Sequence, residues 1–287
     1  MLFPHHLILL RGGGDLATGI AYRLHHAGFP VIVTELRHPL VVRRRVALAT
    51  AVLEGEITVE DLRAVRVDDL DEALRLADTG TIPILVAPVL PDALLNSSLV
   101  ISSDDRSRRS SLIIIDARMA KRNIDTTLSQ APLVIGLGPG FTAGVDCHAV
   151  IETNRGHRLG RVIWDGAAEP DTGTPGIVGG KGRERVLRAP VAGIVAWEKE
   201  IGDRIREEES LGNVAGHEIA APFTGVVRGL IAPGTTVRAG LKIGDVDPRD
   251  DVDACFTISD KALAIGGGVL EAILIDLAKR PRDKDEI

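Results

Sequence analysis

The sequence predicts an α/β protein in which a Rossmann-like, mostly parallel sheet carries an inserted small β domain. Over the first 187 residues, short aliphatic and β-branched runs alternate with helical patterns, as in a parallel sheet covered by helices. Apolar residues make up 45% of the chain but aromatic residues only 3%, so aliphatic side chains must build the core, which favours buried parallel strands. From about Arg188 to Pro248 helical periodicity disappears, and glycine and proline recur among short Val and Ile alternations.

Seven aliphatic runs predict the strands of the sheet. Between the first two, Leu16–Ala27 predicts a helix with one apolar face, and Gly28 follows where a helix end favours a positive φ. The first strand, the turn, this helix and the second strand form a complete β–turn–α–β unit. The predicted strands are Leu7–Leu10, Val31–Thr34, Ile84–Val86, Leu99–Ser102, Leu112–Asp116, Leu133–Leu137 and Ala149–Thr153.

The β segment contains an internal repeat, which predicts duplicated short strands. Its pattern, Ala-Pro-x-x-Gly-x-Val and then a loop ending in Gly-Asp or Gly-Thr, resembles the biotinyl/lipoyl type of barrel-sandwich hybrid domain. Carrier domains of that type hold a modified lysine between the halves, but Leu211–Glu218 contains none, so a structural or interaction role is implied instead. Matched pairs are Ala189 and Ala221, Pro190 and Pro222, Gly193 and Gly225, Val195 and Val227, Gly202 and Gly234, and Ile205 and Val237.

After the repeat, patterns typical of an α/β domain return. Val252–Ile258 predicts a strand, and Lys261–Leu277 predicts a glycine-bearing helix with one apolar face. The simplest division is a Rossmann-like domain over 1–187, the barrel-sandwich insert over 188–248, and a strand and helix over 249–287 that return to the first domain.

Composition excludes several classes of protein. The net charge is −6 and cationic residues are scattered among the acids, which argues against nucleic-acid binding. Charged residues or glycine interrupt every apolar run, so no membrane span is expected, and the apolar start lacks the basic residues of a signal peptide. Cys147 and Cys255 have neither disulfide nor metal-site spacing, which favours a cytoplasmic location and no metal site.

A first glycine loop follows the first predicted strand. Arg-Gly-Gly-Gly-Asp-Leu-Ala fits the G-x-G-x-x-G/A fingerprint, in which the turn is tight and backbone N–H groups face a phosphate. An acid ends the second strand, where it could accept hydrogen bonds from a ribose. The loop predicts a nucleotide or related phosphate site, and the alternative is a Rossmann fold that has lost its ligand. The assigned residues are Gly12, Gly13, Gly14, Asp15, Ala17 and Glu35.

Nearby arginines offer a second phosphate contact. Arg37 and the triplet Arg43, Arg44 and Arg45 could receive a phosphate beside Glu35. A solvated helix face is the favoured interpretation of the triplet.

A second glycine loop follows another apolar strand. Gly136, Gly138 and Gly140 lack side chains that would shield a ligand, and Thr142 could donate to an oxyanion. Two such loops would face each other across the crevice where open α/β sheets bind ligands. The alternative is one turn and one crossover loop.

Charged and nucleophilic residues near strand ends are further candidates. Asp116 and Arg118 end a strand of three isoleucines, where they would contact a ligand or pair with each other at a helix start. Cys147 beside His148 suggests an activated thiolate, but the favoured interpretation is a small core residue, with His148 alone facing the crevice.

Long irregular segments add weaker candidates for ligand contact. His157 and Lys181 lie in glycine-rich connections, and Arg106 and Arg109 lie in a charged loop. Plain surface positions are the favoured interpretation of His157 and Lys181, and Arg106 and Arg109 could contact a phosphate or lie in an exposed loop.

Four segments together resemble the YqeB family, which is associated with selenium-dependent molybdenum hydroxylases and is distantly similar to the XdhC/CoxF maturation factors. The resemblance implies an accessory protein that assembles or modifies the molybdenum cofactor for a client hydroxylase, with molybdopterin or its cytosine dinucleotide as the phosphate-bearing ligand. It implies a role more than a reaction. The segments are LLRGGGDLATGIAYRLHHAGFPVIVTE, IIIDARMAKRN, VIGLGPGFTAGVDCHAVIETNRGHRLGRVI and AIGGGVLEAIL.

Three functions stay open at this point. The first is the maturation protein; the second is an NAD(P)- or flavin-dependent oxidoreductase, which Glu35 supports; the third is a non-catalytic scaffold that docks partner proteins. The residues do not decide whether the chain turns over a substrate or whether it forms a homo-oligomer.

Overall fold

The computed structural model describes residues 1–95, 111–174 and 176–280. The predicted strand Leu99–Ser102 and the loop with Arg106 and Arg109 lie outside these residues. The strands are β1 His6–Arg11, β2 Val31–Glu35, β3 Glu56–Val59, β4 Leu62–Val67, β5 Ile82–Val86, β6 Ser111–Asp116, β7 Leu133–Leu137, β8 Thr142–Ala143, β9 Ala149–Ile151, β10 Val162–Ile163, β11 Gly166–Ala167, β12 Val186–Arg188, β13 Gly193–Trp197, β14 Arg204–Ile205, β15 Ser210–Val214, β16 His217–Ala220, β17 Gly225–Leu230, β18 Thr236–Val237 and β19 Lys242–Asp247.

Helices connect and cover these strands. The α-helices are α1 Asp15–His26, α2 Thr50–Glu54, α3 Leu70–Ala77, α4 Asp92–Leu95 and α5 Asp260–Lys279. Short 3-10 turns span Arg44–Val46, Leu128–Gln130, Arg183–Arg185 and Asp253–Cys255. Within the described residues, no helix is both long and apolar enough to cross a membrane.

A nine-stranded sheet forms the body of the protein, in the order β10-β9-β7-β6-β1-β2-β5-β4-β3. Among the strands that the structure describes in this sheet, only β3 and β10, at the two edges, pair antiparallel to their neighbours. The predicted α/β class with a large, mostly parallel sheet is therefore confirmed. The chain leaves β1 toward β2 on one side and later returns to β6 on the other, so the strand order changes direction at β1. Ligand sites of open α/β sheets lie outside the carboxyl ends of strands at such a point.

The central strands carry runs of consecutive aliphatic residues, as at Leu7–Leu10, so both faces of the sheet need to be covered. Ile8 and Leu10 point into a core with α1, α2 and α5, whereas Leu7 and Leu9 point into a core on the α3 side. All four side chains are fully buried. The alternation that places successive side chains on opposite faces thus supplies both cores from one strand.

Helices α1 and α5 lie side by side and run in the same direction. A Cβ on Gly19 would lie 2.5 Å from the backbone of Ala262, and a Cβ on Gly266 would lie 2.5 Å from the Gly19 carbonyl oxygen and 3.0 Å from Arg23. A Cβ on Gly268 would lie still closer to the Gly160 carbonyl oxygen. Glycine is therefore required where the helices touch, and both helices begin at the carboxyl edge of the sheet.

The triple glycine of α5 gives a matched stability test. We expect Gly266→Ala and Gly268→Ala to lower the melting temperature, because each new methyl meets backbone of a neighbouring element. Gly267→Ala should leave it unchanged or raise it, because Gly267 has open space and alanine favours a helix by about 1 kcal/mol. Thermal unfolding of the three variants measures this, and equal effects at all three positions would contradict the packing.

Residues 186–247, called the two-sheet region below, form two four-stranded antiparallel sheets with their own apolar core. The sheet orders are β12-β19-β17-β14 and β16-β15-β13-β18. The repeat aligns β12 to β15 with β16 to β19, so each sheet takes two strands from each half. The duplicated strands expected from the sequence are present, while the barrel-sandwich topology and the three-part domain division stay predictions.

The strand expected over Val252–Ile258 is wrong. The chain instead forms a 3-10 turn at Asp253–Cys255, where the Asp251 carboxylate accepts the Ala254 N–H at 3.2 Å and Cys255 is buried. The helix expected over Lys261–Leu277 is confirmed and slightly longer, because Ser259 caps its N-terminus through the Ala262 N–H.

Candidate functional site

The first glycine loop joins β1 to α1 at the carboxyl edge of the sheet. Gly12 has φ +91°, and a Cβ there would lie 3.1 Å from Arg118 Cα. A Cβ on Gly13 would lie 2.9 Å from the Ala49 nitrogen. Gly14 differs from both, since no atom lies within 4 Å of its Cβ position. The first two glycines are thus fixed by packing, and the third faces open space.

Glu35 holds the glycine loop in place. Its carboxylate accepts the Gly13 N–H at 2.8 Å through one oxygen and the Leu36 N–H at 2.7 Å through the other. The Gly13 carbonyl accepts the Ala49 N–H at 2.8 Å. The sequence assigned Gly13 to a phosphate and Glu35 to a ribose, but in this structure these groups bind each other.

The start of α1 is open. No side chain caps it among the described residues, and its N-cap is Gly14. Ala17 is buried, which lets the helix approach the strand, and Asp15 lies 3.4 Å from Arg43 Nη1. Uncapped N–H groups at a helix start favour an anion.

A buried charge cluster lies at the ends of β1 and β6. Asp116 is 1% exposed and accepts hydrogen bonds from Arg118 Nε at 3.1 Å and from Thr126 Oγ1 at 2.6 Å. Arg11 donates to Thr126 at 2.9 Å and pairs with Asp125 at 2.8 Å. Asp116 and Arg118 therefore pair with each other, as one interpretation of the sequence had it, although irregular chain and not a helix follows.

The second glycine loop follows β7 on the same edge, one strand beyond β6. Each glycine has a neighbour that a Cβ would strike: Phe141 for Gly136, Thr153 for Gly138, and the Arg122 backbone for Gly140. Thr142 lies in β8, and its N–H donates to Asp146 at 2.8 Å. Tight packing thus accounts for the glycines of this loop.

Lys261 is a site residue that the sequence analysis missed. It lies in the first turn of α5, and the described residues offer its ammonium group no hydrogen bond or ion pair. Burial lowers its pKa, Asp15 and Glu152 oppose that shift, and Arg155 and Lys121 add to it. A helix N-terminus also disfavours a cation. A lysine in the first turn of a predicted helix was therefore the sequence feature that could have marked Lys261 as a candidate site residue.

Cys147 does not have the surroundings of a reactive thiolate. It is fully buried, and burial raises its pKa to about 11. His148 precedes β9, so it lies at the amino edge of the sheet, and its Nδ1 accepts the Val134 N–H at 3.0 Å. The suggestion that His148 faces the crevice is therefore wrong.

The cysteines give a chemical test of this environment. With a pKa of about 11, only about one Cys147 in ten thousand is a thiolate at pH 7. We expect native protein to react with iodoacetamide far more slowly than unfolded protein, the rate rising about tenfold per pH unit up to pH 10. Mass spectrometry of the alkylated peptide measures this, and rapid labelling of Cys147 at pH 7 would contradict it.

The arginine triplet does not form a solvated face. The side chains of Arg43 and Arg44 are 10% and 13% exposed, whereas that of Arg45 is 45% exposed. Arg44 Nε donates to the Leu230 carbonyl at 2.8 Å, because Gly229 lets the segment lie directly against β17. Arg44 thus binds the two-sheet region, whereas Arg43 donates to the Ala254 carbonyl at 3.0 Å, in the chain that follows that region. Arg37 stays on the surface.

Two weaker candidates lie apart. The Lys181 ammonium lies 5.2 Å from the Phe223 ring centroid, in a cation–π contact. His157 lines a surface cavity. No cluster of three metal-ligating side chains occurs among the residues that the structure describes.

Comparison with known proteins identifies one relative across almost the whole chain. "Uncharacterized protein YqeB" of Escherichia coli (strain K12) is 47% identical over 271 residues, which are 94% of this chain. The chain belongs to the YqeB family. It spans about half the length of that curated relative, since the match covers 48% of it. No family model matches the chain.

A search of solved structures adds little to this family assignment. The crystal structure of succinylglutamatedesuccinylase/aspartoacylase from Rhodobacter sphaeroides is 16% identical and covers 85% of the chain and 88% of its own, but with a TM-score of 0.25. A value this low indicates neither a shared fold nor a shared activity.

Proposed function

We propose that this YqeB-family chain binds a phosphate-bearing cofactor at the carboxyl edge of its sheet and serves the maturation of molybdenum hydroxylases. The ligand class proposed is molybdopterin or its cytosine dinucleotide, and the partner is a client hydroxylase of the selenium-dependent kind. Two buried, unpaired cysteines accord with a cytoplasmic setting.

One observation carries the binding part of the proposal: the open, uncapped start of α1 lies beside an unpaired lysine. Gly14 has free space where a side chain would be. Lys261 lies near Asp15, and the described residues offer its ammonium group no hydrogen bond or ion pair. Phosphate oxygens would accept hydrogen bonds from the helix N–H groups and from this ammonium. The change of strand direction at β1 puts this place where α/β sheets bind ligands.

The contacts of Glu35 weigh against a nicotinamide-dependent oxidoreductase. A ribose-binding acid keeps its carboxylate available for hydroxyl groups. Here both oxygens already accept backbone N–H groups. Glu35 therefore supports the loop first, and a ribose would have to share it.

Ligand titration tests the proposal directly. We expect the purified chain to bind molybdopterin or its cytosine dinucleotide more tightly than NAD(H), NADP(H) or FAD, measured by calorimetry at one salt concentration. Tighter nicotinamide or flavin binding would support the oxidoreductase, and no binding of any of them would favour the scaffold.

Two substitutions locate the binding site. Gly14→Leu should abolish binding while leaving the fold intact, because its side chain enters empty space at the helix start. Lys261→Met should weaken binding about tenfold or more, the effect of losing a charge-assisted hydrogen bond of about 1.5–3 kcal/mol. Gly267→Leu, which is also in open space, and Lys199→Met, in the two-sheet region, are the matched controls. Unchanged affinity in Gly14→Leu would rule out this crevice.

The maturation role needs a separate experiment. A client hydroxylase purified from cells that lack the protein should contain less molybdenum cofactor and have lower specific activity than from cells that contain it. Re-expression should restore both, and re-expression of Gly14→Leu should not. Equal cofactor content with and without the protein would contradict the role.

A further inference from the structure

A surface cavity lies at the carboxyl end of β9, apart from the glycine loops. Its volume is about 560 Å³, within the range of small-molecule sites. The walls come from the segments that follow β9 and from β10, β11 and the chain after them. The lining includes Glu152, Arg158, Arg161, Ile163, Glu169 and Pro170.

Glu152 builds the walls of this cavity. Its side chain is buried and accepts the Asn154 N–H at 2.6 Å and the Glu169 N–H at 2.8 Å. Its backbone bonds to Gly160 and Arg161, at 2.9 and 3.0 Å. One residue therefore ties both enclosing segments to the end of β9, and backbone N–H groups occupy both oxygens of its carboxylate.

Two arginines and two glutamates line the cavity, but only the arginines have unused hydrogen-bonding groups, since both carboxylates already accept N–H groups. Arg158 and Arg161 are exposed, and the described residues provide no hydrogen bond or ion pair to either guanidinium. Glu169 is held by the Asn154 side chain at 2.6 Å. Ile163, Ala168 and Pro170 add an apolar component to the same lining. Guanidinium groups favour phosphate, which they can bind through several N–H groups at once.

We propose that this cavity is a second ligand site, in which Arg158 and Arg161 bind a phosphorylated small molecule whose uncharged part lies against Ile163 and Pro170. The site is separate from the glycine loops, none of whose residues lines the cavity. It stands whether or not the crevice binds a molybdenum cofactor.

Calorimetric titration of the full chain with inorganic pyrophosphate, at constant ionic strength, tests this site. We expect wild-type binding that falls about tenfold or more in an Arg158→Gln/Arg161→Gln double variant. Arg63→Gln/Arg206→Gln removes the same charge from exposed positions elsewhere and should bind as the wild type does. Gly14→Leu blocks the glycine-loop site and should keep binding pyrophosphate at this cavity, and adding Arg158→Gln/Arg161→Gln to it should remove that binding.

Each other outcome overturns the inference. No heat of binding with millimolar pyrophosphate, or equal affinity in the Arg158/Arg161 variant, means that the cavity holds no phosphate. Binding that is lost in Gly14→Leu and kept in the double variant assigns the anion to the glycine loop, which supports the proposed function while ending this inference. The melting temperature of each variant shows that it is folded.

Discussion

The parallel contact between α1 and α5 is the constraint on which the rest of the site depends. It exists because Gly19 and Gly266 let the two backbones approach more closely than any side chain would permit. The two-sheet region lies between α1 and α5 in the sequence, and this contact brings α5 back to α1. It also fixes the register at the helix starts, which brings Lys261 near Asp15.

The glycine loop next to this contact is rigid rather than adaptable. Gly12 packs against Arg118, and Gly13 is held through both its N–H and its carbonyl. Thr18 adds a further link, since it donates to the Gly14 carbonyl at 3.1 Å and accepts the Leu48 N–H at 3.1 Å. A ligand would therefore meet a preformed surface and incur little cost in ordering the loop.

The sequence predicted six of the nine strands of the sheet, and it predicted less of the site. Those six are short aliphatic runs between polar or glycine residues, as at Leu133–Leu137, whereas β3 and β4 carry charged or polar residues among their apolar ones and were missed, as was the two-residue β10. The role of the second glycine loop could not be predicted, because Phe141 and Thr153 fill the space beside its glycines only after folding. The 3-10 turn at Asp253 depends on one carboxylate that accepts a nearby N–H, and apolar spacing carries no sign of it. The role proposed for Lys261 depends on the packing of α5 beside α1, which the sequence did not specify.

The pairing of β12 with β19 has an architectural consequence. These are the first and last strands of the two-sheet region, and Val186 lies opposite Asp245. The chain thus enters and leaves that region at adjacent points, and the flanking polypeptide needs no detour to accommodate it. A segment that enters and leaves at adjacent points occupies a surface connection without altering the geometry of the surrounding sheet. Arg44, which donates to the Leu230 carbonyl, and Gly229, which packs against Val42, hold this region against the chain that precedes α2.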